Sequence, residues 1–287
     1  MRCVPFLTAV LLVPLSIPNA IDAAPHTAAP IKLARHLTAI AALAQPSPPV
    51  DIPAGEFSLG SNRIDDDPYG LSTQFDDTEL PQQRIWIDGF ALDRDEVSLG
   101  EFLAFLQQQK RRPAEELQKL IWHVITVHSV SDQTLSRWPA LYMTWQEASD
   151  FCASRGKRLP TEAEWEKSAR GPDGNLFPWG QSPPDSTRAM FGQHHVHEIP
   201  ILAAVDSLDK GNSPYGIHHM AGNVAEWLAT DYKPYPNSPA KPDDGNKIVR
   251  GGAFNNPAAE QTATDRFFYR PSQKFDFIGF RCAKNAN

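Results

Sequence analysis

The chain has 287 residues, 41% of them hydrophobic, and a formal net charge of −7 from 34 Asp and Glu against 27 Lys and Arg. That apolar fraction suffices for a packed core and excludes wholesale disorder, and the acidic balance argues against nucleic acid as a partner, which needs a basic face. Three cysteines are too few for a disulfide-dense scaffold or a four-thiolate zinc site.

At the N-terminus, Met1-Arg2 is a short basic start, Val4 to Ile17 is apolar, Pro18-Asn19 breaks the run, and Ala20 to Ala23 offers small residues for cleavage. This is the layout of a secretory signal peptide over 1–23. The apolar run is shorter than the ~20 residues that span a bilayer. The expectation is a periplasmic or secreted protein in an oxidising compartment, with no membrane span in its mature form. Residues 24–49 are rich in Ala and Pro and read as a linker, in which Ile31 to Leu43 could form one short helix. The domain is expected over 50–287.

Within it, Glu56 to Leu59 and Arg84 to Asp88 alternate as short strands. Between them, Asp65-Asp66-Asp67 and Asp76-Asp77-x-Glu79 make an acidic loop that reads as a soluble surface. Three Ser/Thr-x-x-Glu boxes begin at Ser98, Thr144 and Thr161. In each, the hydroxyl accepts from the third amide and the carboxylate from the cap's own amide, so each predicts a helix start. The second helix is expected to run to about Ser154, with Gly156 ending it, and the third from Glu162 to about Arg170 before Gly171-Pro172. Leu117 to Val127 is a further helical stretch. Ile248 to Gly251 and Ile278 to Cys282 read as short buried strands. Long Pro-, Asp- and Asn-rich loops separate these elements, and the seven tryptophans are expected to anchor them.

RDEVSLGEF, RLPTEAEWE, FPWG, YGIHHMAGNVAEW, VRGGAF and GFRCAKN follow one another in this order. Together they resemble the formylglycine-generating-enzyme (sulfatase-modifying factor) family over about residues 50 to 285. The resemblance implies one α+β, C-type-lectin-like domain with few short helices, short strands and much irregular loop. It also implies bound calcium. In GNVAEW, Asn223 and Glu226 are hard oxygen ligands. The family's site uses the carbonyls at Gly222 and Val224, the carboxylate at Glu226 and an oxygen side chain at the position of His219. Imidazole is a poor calcium ligand, so calcium here stays open. A second calcium site of the family would begin at Ala189, which offers no side-chain oxygen. RLPTEAEWE is expected to build the fold, with Arg158 pairing the glutamates.

The family's catalytic members hold copper(I) through two cysteines after the GGS/GGA strand. Asn256 and about Gln261 stand there in this chain, and neither binds copper(I) as a thiolate does, so copper is not expected. Ala253 replaces a pocket serine and Ala225 an aromatic residue. These substitutions predict a wider pocket, made polar by Asn256, Glu260 and Gln261. Cys152 and Cys282 match a family disulfide, and Cys3 would leave with the signal peptide.

His194, His195 and His197, with His218 and His219 downstream, read as a solvated loop; a histidine site for iron or copper is the alternative. Arg266, Arg270 and Arg281 are expected to pair with acids of the fold. The functional expectation is a non-catalytic accessory or peptide-binding protein acting on an extended peptide or exported protein. The alternative is a divergent metal-dependent oxidoreductase or maturation factor, in which Glu260 or the histidines would carry the chemistry. Formylglycine generation in sulfatases is disfavoured by the missing cysteines.

Overall fold

The computed structural model describes residues 28–62, 77–195 and 199–286. The signal-peptide region, Cys3, Asp65, Asp66, Asp67, Asp76 and His197 lie outside the described residues. In chain order come helix α1 (Ala28–Ala42), strands β1 (Pro49–Ile52), β2 (Gly55–Leu59), β3 (Gln83–Ile87) and β4 (Phe90–Asp93), and helices α2 (Leu99–Gln108), α3 (Glu115–His128), α4 (Asp132–Ser136), α5 (Trp145–Ser154) and α6 (Glu162–Arg170). Strands β5 (Ala225–Asp231), β6 (Lys247–Arg250), β7 (Arg266–Tyr269), β8 (Ile278–Gly279) and β9 (Ala283–Asn285) complete a single α+β domain.

All three capping boxes form: Ser98, Thr144 and Thr161 each accept from the amide three residues on, and Glu101, Glu147 and Glu164 accept from the cap amides. Gly156 follows α5 at a φ of 66°, the left-handed conformation that a chain reversal after a helix needs. Helix α3 has no side-chain cap at Ala114. Its buried Leu117, Leu120, Ile121 and Val124 recur at helical spacing, so packing holds it.

The strands form a three-stranded sheet β1-β4-β9, the hairpin β2-β3 and a four-stranded sheet β7-β6-β5-β8. In the last, β5 pairs antiparallel with β6 (Glu226 opposite Arg250, Trp227 opposite Val249) and parallel with β8 (Ala225 opposite Ile278). Successive side chains of β5 point to opposite faces. Ala225 and Trp227 therefore enter the main core with α2, α3 and α5, whereas Leu228 joins Trp165 and Ile248 in a second one. This burial on both faces explains why the first half of β5 lacks the alternation of a strand with one face in water.

The linker expectation for 24–49 needs correction. Helix α1 docks on the domain, with Ile40 fully buried in the main core and Leu33 and Leu37 packed against it. A Cβ on Gly100 would lie 3.1 Å from the carbonyl oxygens of Ile40 and Ser136, so the first turn of α2 has no side chain where α1 crosses it. Leu33, Leu37, Ile40 and Ala41 follow helical spacing; the surrounding Ala and Pro obscure it in the sequence.

Cys152 and Cys282 are joined by a disulfide, Cα to Cα 5.6 Å, that ties α5 to the segment before β9. Helix α6 is polar in sequence yet buried almost throughout. Glu166 accepts from Arg170, Arg250 and the Gly60 amide; Glu162 accepts from Arg266 at 2.7 Å; Arg158 clamps Glu164 at 2.6–2.7 Å. The motif RLPTEAEWE is thus the polar hub that joins the hairpin to the large sheet.

Candidate functional site

Strand β6 is followed by Gly251-Gly252, with φ values of 101° and 63°. A Cβ on Gly252 would stand 2.5 Å from the Glu260 carbonyl and 2.8 Å from Gln261 Oε1, so the loop folds tightly back on itself only because this residue has no side chain. Gln261, which ends a 3-10 turn over Ala258–Gln261, is fully buried. Its Nε2 donates to the carbonyls of Pro257 and Ala253 at 3.3 and 3.5 Å, and its Oε1 is buried without a partner.

The structure corrects the expected wide polar pocket. Ala253 and Ala225 are 0% and 2% exposed, inside the main core. Neighbours close over the small side chains, and Gln261 turns inward instead of lining an opening. Of the five candidate residues, only Asn256 and Glu260 reach the surface, where the Asn256 amide donates to the Glu260 carboxylate.

Beside this loop lies a face that sequence reasoning did not assemble. The amides of Gly192 and Gln193 donate to the carbonyls of Asn256 and Phe254, each at 2.7 Å, and so bring segment 191–195 alongside. There the His195 ring meets Phe254 edge-on at 5.3 Å, and its Nε2 lies 2.6 Å from Asp276 Oδ2. Tyr269, Phe275 and Phe277 pack together with centroids 4.8–6.1 Å apart, each half-buried. The Tyr142 amide, in a left-handed residue, donates to the Phe275 carbonyl at 2.9 Å. Burial, with Asp276 and Glu116 adding, pushes the Tyr142 phenol up to about 12. Burial followed by Glu260 and Asp265 raises Tyr269 in the same direction. Both phenols stay protonated and can donate. The arrangement is one His–Asp pair set among aromatic rings, with the Asn256–Glu260 pair nearby. The signal that could have found it is the run Phe275-Asp276-Phe277 after an aromatic strand. Of the histidine cluster, His195 is engaged and His194 is exposed.

At GNVAEW the groups are already committed. Glu226 accepts from Arg281 Nε and Nη2 and, at 3.0 Å, from Trp165 Nε1. Asn223 donates to Glu96 at 2.6 Å and accepts from the Ala203 amide at 2.9 Å. Glu96 is fully buried, and its pKa is held well above the usual carboxylate range, first by burial and then by Glu226. His219 is buried, with Nε2 3.0 Å from the Ala204 carbonyl and Nδ1 without a partner. The carboxylate, amide and imidazole expected to meet calcium therefore point at protein groups, with a guanidinium already against Glu226. The set Gly222, Val224, Glu226 and His219 does not fit a calcium cage in this arrangement. Among the described residues no group of three or more His, Cys, Asp or Glu side chains is placed to hold a metal. Arg266 and Arg281 pair with Glu162 and Glu226, and Arg270 lies 3.6 Å from Asp243. Among the described residues no helix is long and apolar enough to cross a membrane.

The profile of the sulfatase-modifying factor enzyme 1-like domain matches residues 40–286. The inactive C-alpha-formylglycine-generating enzyme 2 of Bos taurus is 29% identical, over 83% of this chain and 88% of that protein. The formylglycine-generating enzyme of Bos taurus is 28% identical, over 83% of this chain and 76% of its own length. Among solved structures, PvdO from Pseudomonas aeruginosa superposes with a TM-score of 0.62 at 21% identity, covering 84% of this chain and 99% of PvdO.

Proposed function

The chain belongs to the sulfatase-modifying factor enzyme 1-like family, and from that premise we propose that it is an exported, non-catalytic member that binds an extended peptide or an exported protein. One observation carries the reading. Where catalytic relatives are understood to hold paired cysteines, this chain has Asn256, bonded to Glu260, and Gln261, buried against backbone carbonyls. Neither side chain can act as a soft thiolate toward copper(I), and no cysteine lies between Cys152 and Cys282. An inactive enzyme among its relatives supports the same reading. The leader-like N-terminus and the disulfide support export.

The binding face is the surface around His195, Asp276, Tyr142, Tyr269, Phe275 and Phe277. Half-buried aromatic rings supply contact area at low entropic cost, and the two phenols and the His–Asp pair supply hydrogen bonds for a peptide backbone. Fluorescence anisotropy against a library of labelled extended peptides tests it, together with oxygen uptake and mass analysis of the bound peptide. Saturable binding of an unaltered peptide, weakened by Phe277→Ala, is the expected result. Oxygen consumption with a change in peptide mass would instead establish the oxidoreductase alternative. Conversion of a sulfatase-motif cysteine to formylglycine would establish catalysis of the family type.

A further inference from the structure

A groove opens between α1 and α3 with α2 as its floor. Its cavity is about 570 Å³, within the roughly 300–1,000 Å³ of small-molecule sites, which often sit between helices. Leu33 and Leu37 of α1, Leu103 and Leu106 of α2 and Trp122 of α3 give it an apolar lining. Leu103 and Leu106 are core residues, whereas Leu33, Leu37 and Trp122 remain half-exposed to the opening.

The charged residues of the lining are mostly cationic, on a chain whose net charge is −7. Arg111 is already held by Glu147 at 2.9 Å and Asp150 at 3.3 Å. Lys119 meets Glu115 at 2.7 Å, but both side chains are about three-quarters exposed, so that pair is weak. Arg112 is exposed and has no ion pair or hydrogen bond among the described residues. The wall supplied by α1 lies almost wholly before residue 40, where the family match begins. None of the residues lining the groove belongs to the loop that carries Asn256 and Gln261.

We infer that this groove binds a free single-chain amphiphile with a carboxylate head, its alkyl chain along Leu33, Leu37, Leu106 and Trp122 and its head on Arg112 beside Lys119. The planar fork of an arginine matches a carboxylate with two parallel hydrogen bonds. Burying the alkyl chain removes from water the apolar surface that the groove now leaves open. An amphipathic helix suits the space less well. At 10–12 Å in diameter and 1.5 Å rise it takes roughly 120–170 Å³ per residue, so the cavity would admit only about four residues.

Dodecanoate is the probe, titrated calorimetrically into the full-length chain, with dodecyltrimethylammonium as the opposite-charge control. The expected result is saturable dodecanoate binding at one per chain and no binding of the cationic amphiphile. Arg112→Glu should weaken dodecanoate at least about tenfold, and Leu37→Asp should abolish it. Thermal unfolding of each variant checks the fold, and the exposed position of Arg112 keeps the test valid if Leu37→Asp unfolds. Failure to saturate below about 1 mM, equal affinity for the cation, or indifference to Arg112→Glu would overturn the inference. So would a dimer that Leu37→Asp dissociates, or binding to lipid vesicles without binding to free dodecanoate.

Discussion

Arg281, between β8 and β9, embraces Glu226: Nε and Nη2 donate to the carboxylate at 2.7–2.9 Å, and both side chains have no solvent exposure. The same guanidinium also donates to the carbonyls of Arg94 and His218 at 2.9 and 2.8 Å, binding three chain segments together. Removing one partner strands a buried charge, so Glu226→Gln and Arg281→Met should each cost about 3–5 kcal/mol. The double variant should cost less than the sum. Urea unfolding reads all three; strictly additive losses would show that the pair is not coupled.

With that guanidinium against Glu226, chelation has little to remove from GNVAEW. Treatment with EDTA should leave the melting temperature unchanged. A drop that calcium restores would show that the ion displaces Arg281 from the carboxylate.

The Cys152–Cys282 bond closes a sequence separation of 130 residues. The chain-entropy argument gives about 5 kcal/mol of stabilisation for a loop of that length, an upper figure. Reduction should therefore shift the urea midpoint strongly downward, and mapping of the non-reduced protein should recover the linked peptides. Free thiols at both positions would contradict the pairing.

His219 gives an acid-sensitive stability. Burial lowers its pKa from 6.5 to about 4. As pH falls, the unfolded chain takes up the proton first, so stability is lost between pH 6.5 and 4, on the order of 3 kcal/mol in all. His218 acts in the opposite sense. Its pKa is raised, chiefly by the hydrogen bond to Asp95, so its stabilisation is full below 6.5 and is lost as pH rises through the folded value. His219→Asn isolates the first effect, since Asn tolerates the φ of 53° found there. Relative to the parent, the variant should gain stability as pH falls from 6.5 to 4; parallel curves would rule His219 out.

Helix α1 should behave as part of the domain. Ile40→Ala removes a fully buried side chain and should cost about 2–5 kcal/mol. Ile31→Ala, at a position 58% exposed, should stay within about 0.5 kcal/mol. Equal effects in thermal unfolding would mean that α1 is not docked.

The chain alone determined whatever depends on neighbours in sequence. Ser98, Thr144 and Thr161 announce their helices because capping needs only residues three apart, and the ordered motifs from RDEVSLGEF to GFRCAKN identify the family and with it the α+β fold. The absence of cysteine near 256 and 261 needs no structure either. Tertiary structure decided what depends on which distant groups meet. It brings His195 to Asp276 and to the aromatic run 275–277, commits Glu226 to Arg281 rather than leaving it open to a cation, and turns Gln261 inward, away from any pocket. It also seats α1 in the core through Ile40 and so creates the groove against α3. Each of these outcomes is a competition among long-range partners for the same polar atom or apolar surface, and no local spacing records which partner wins.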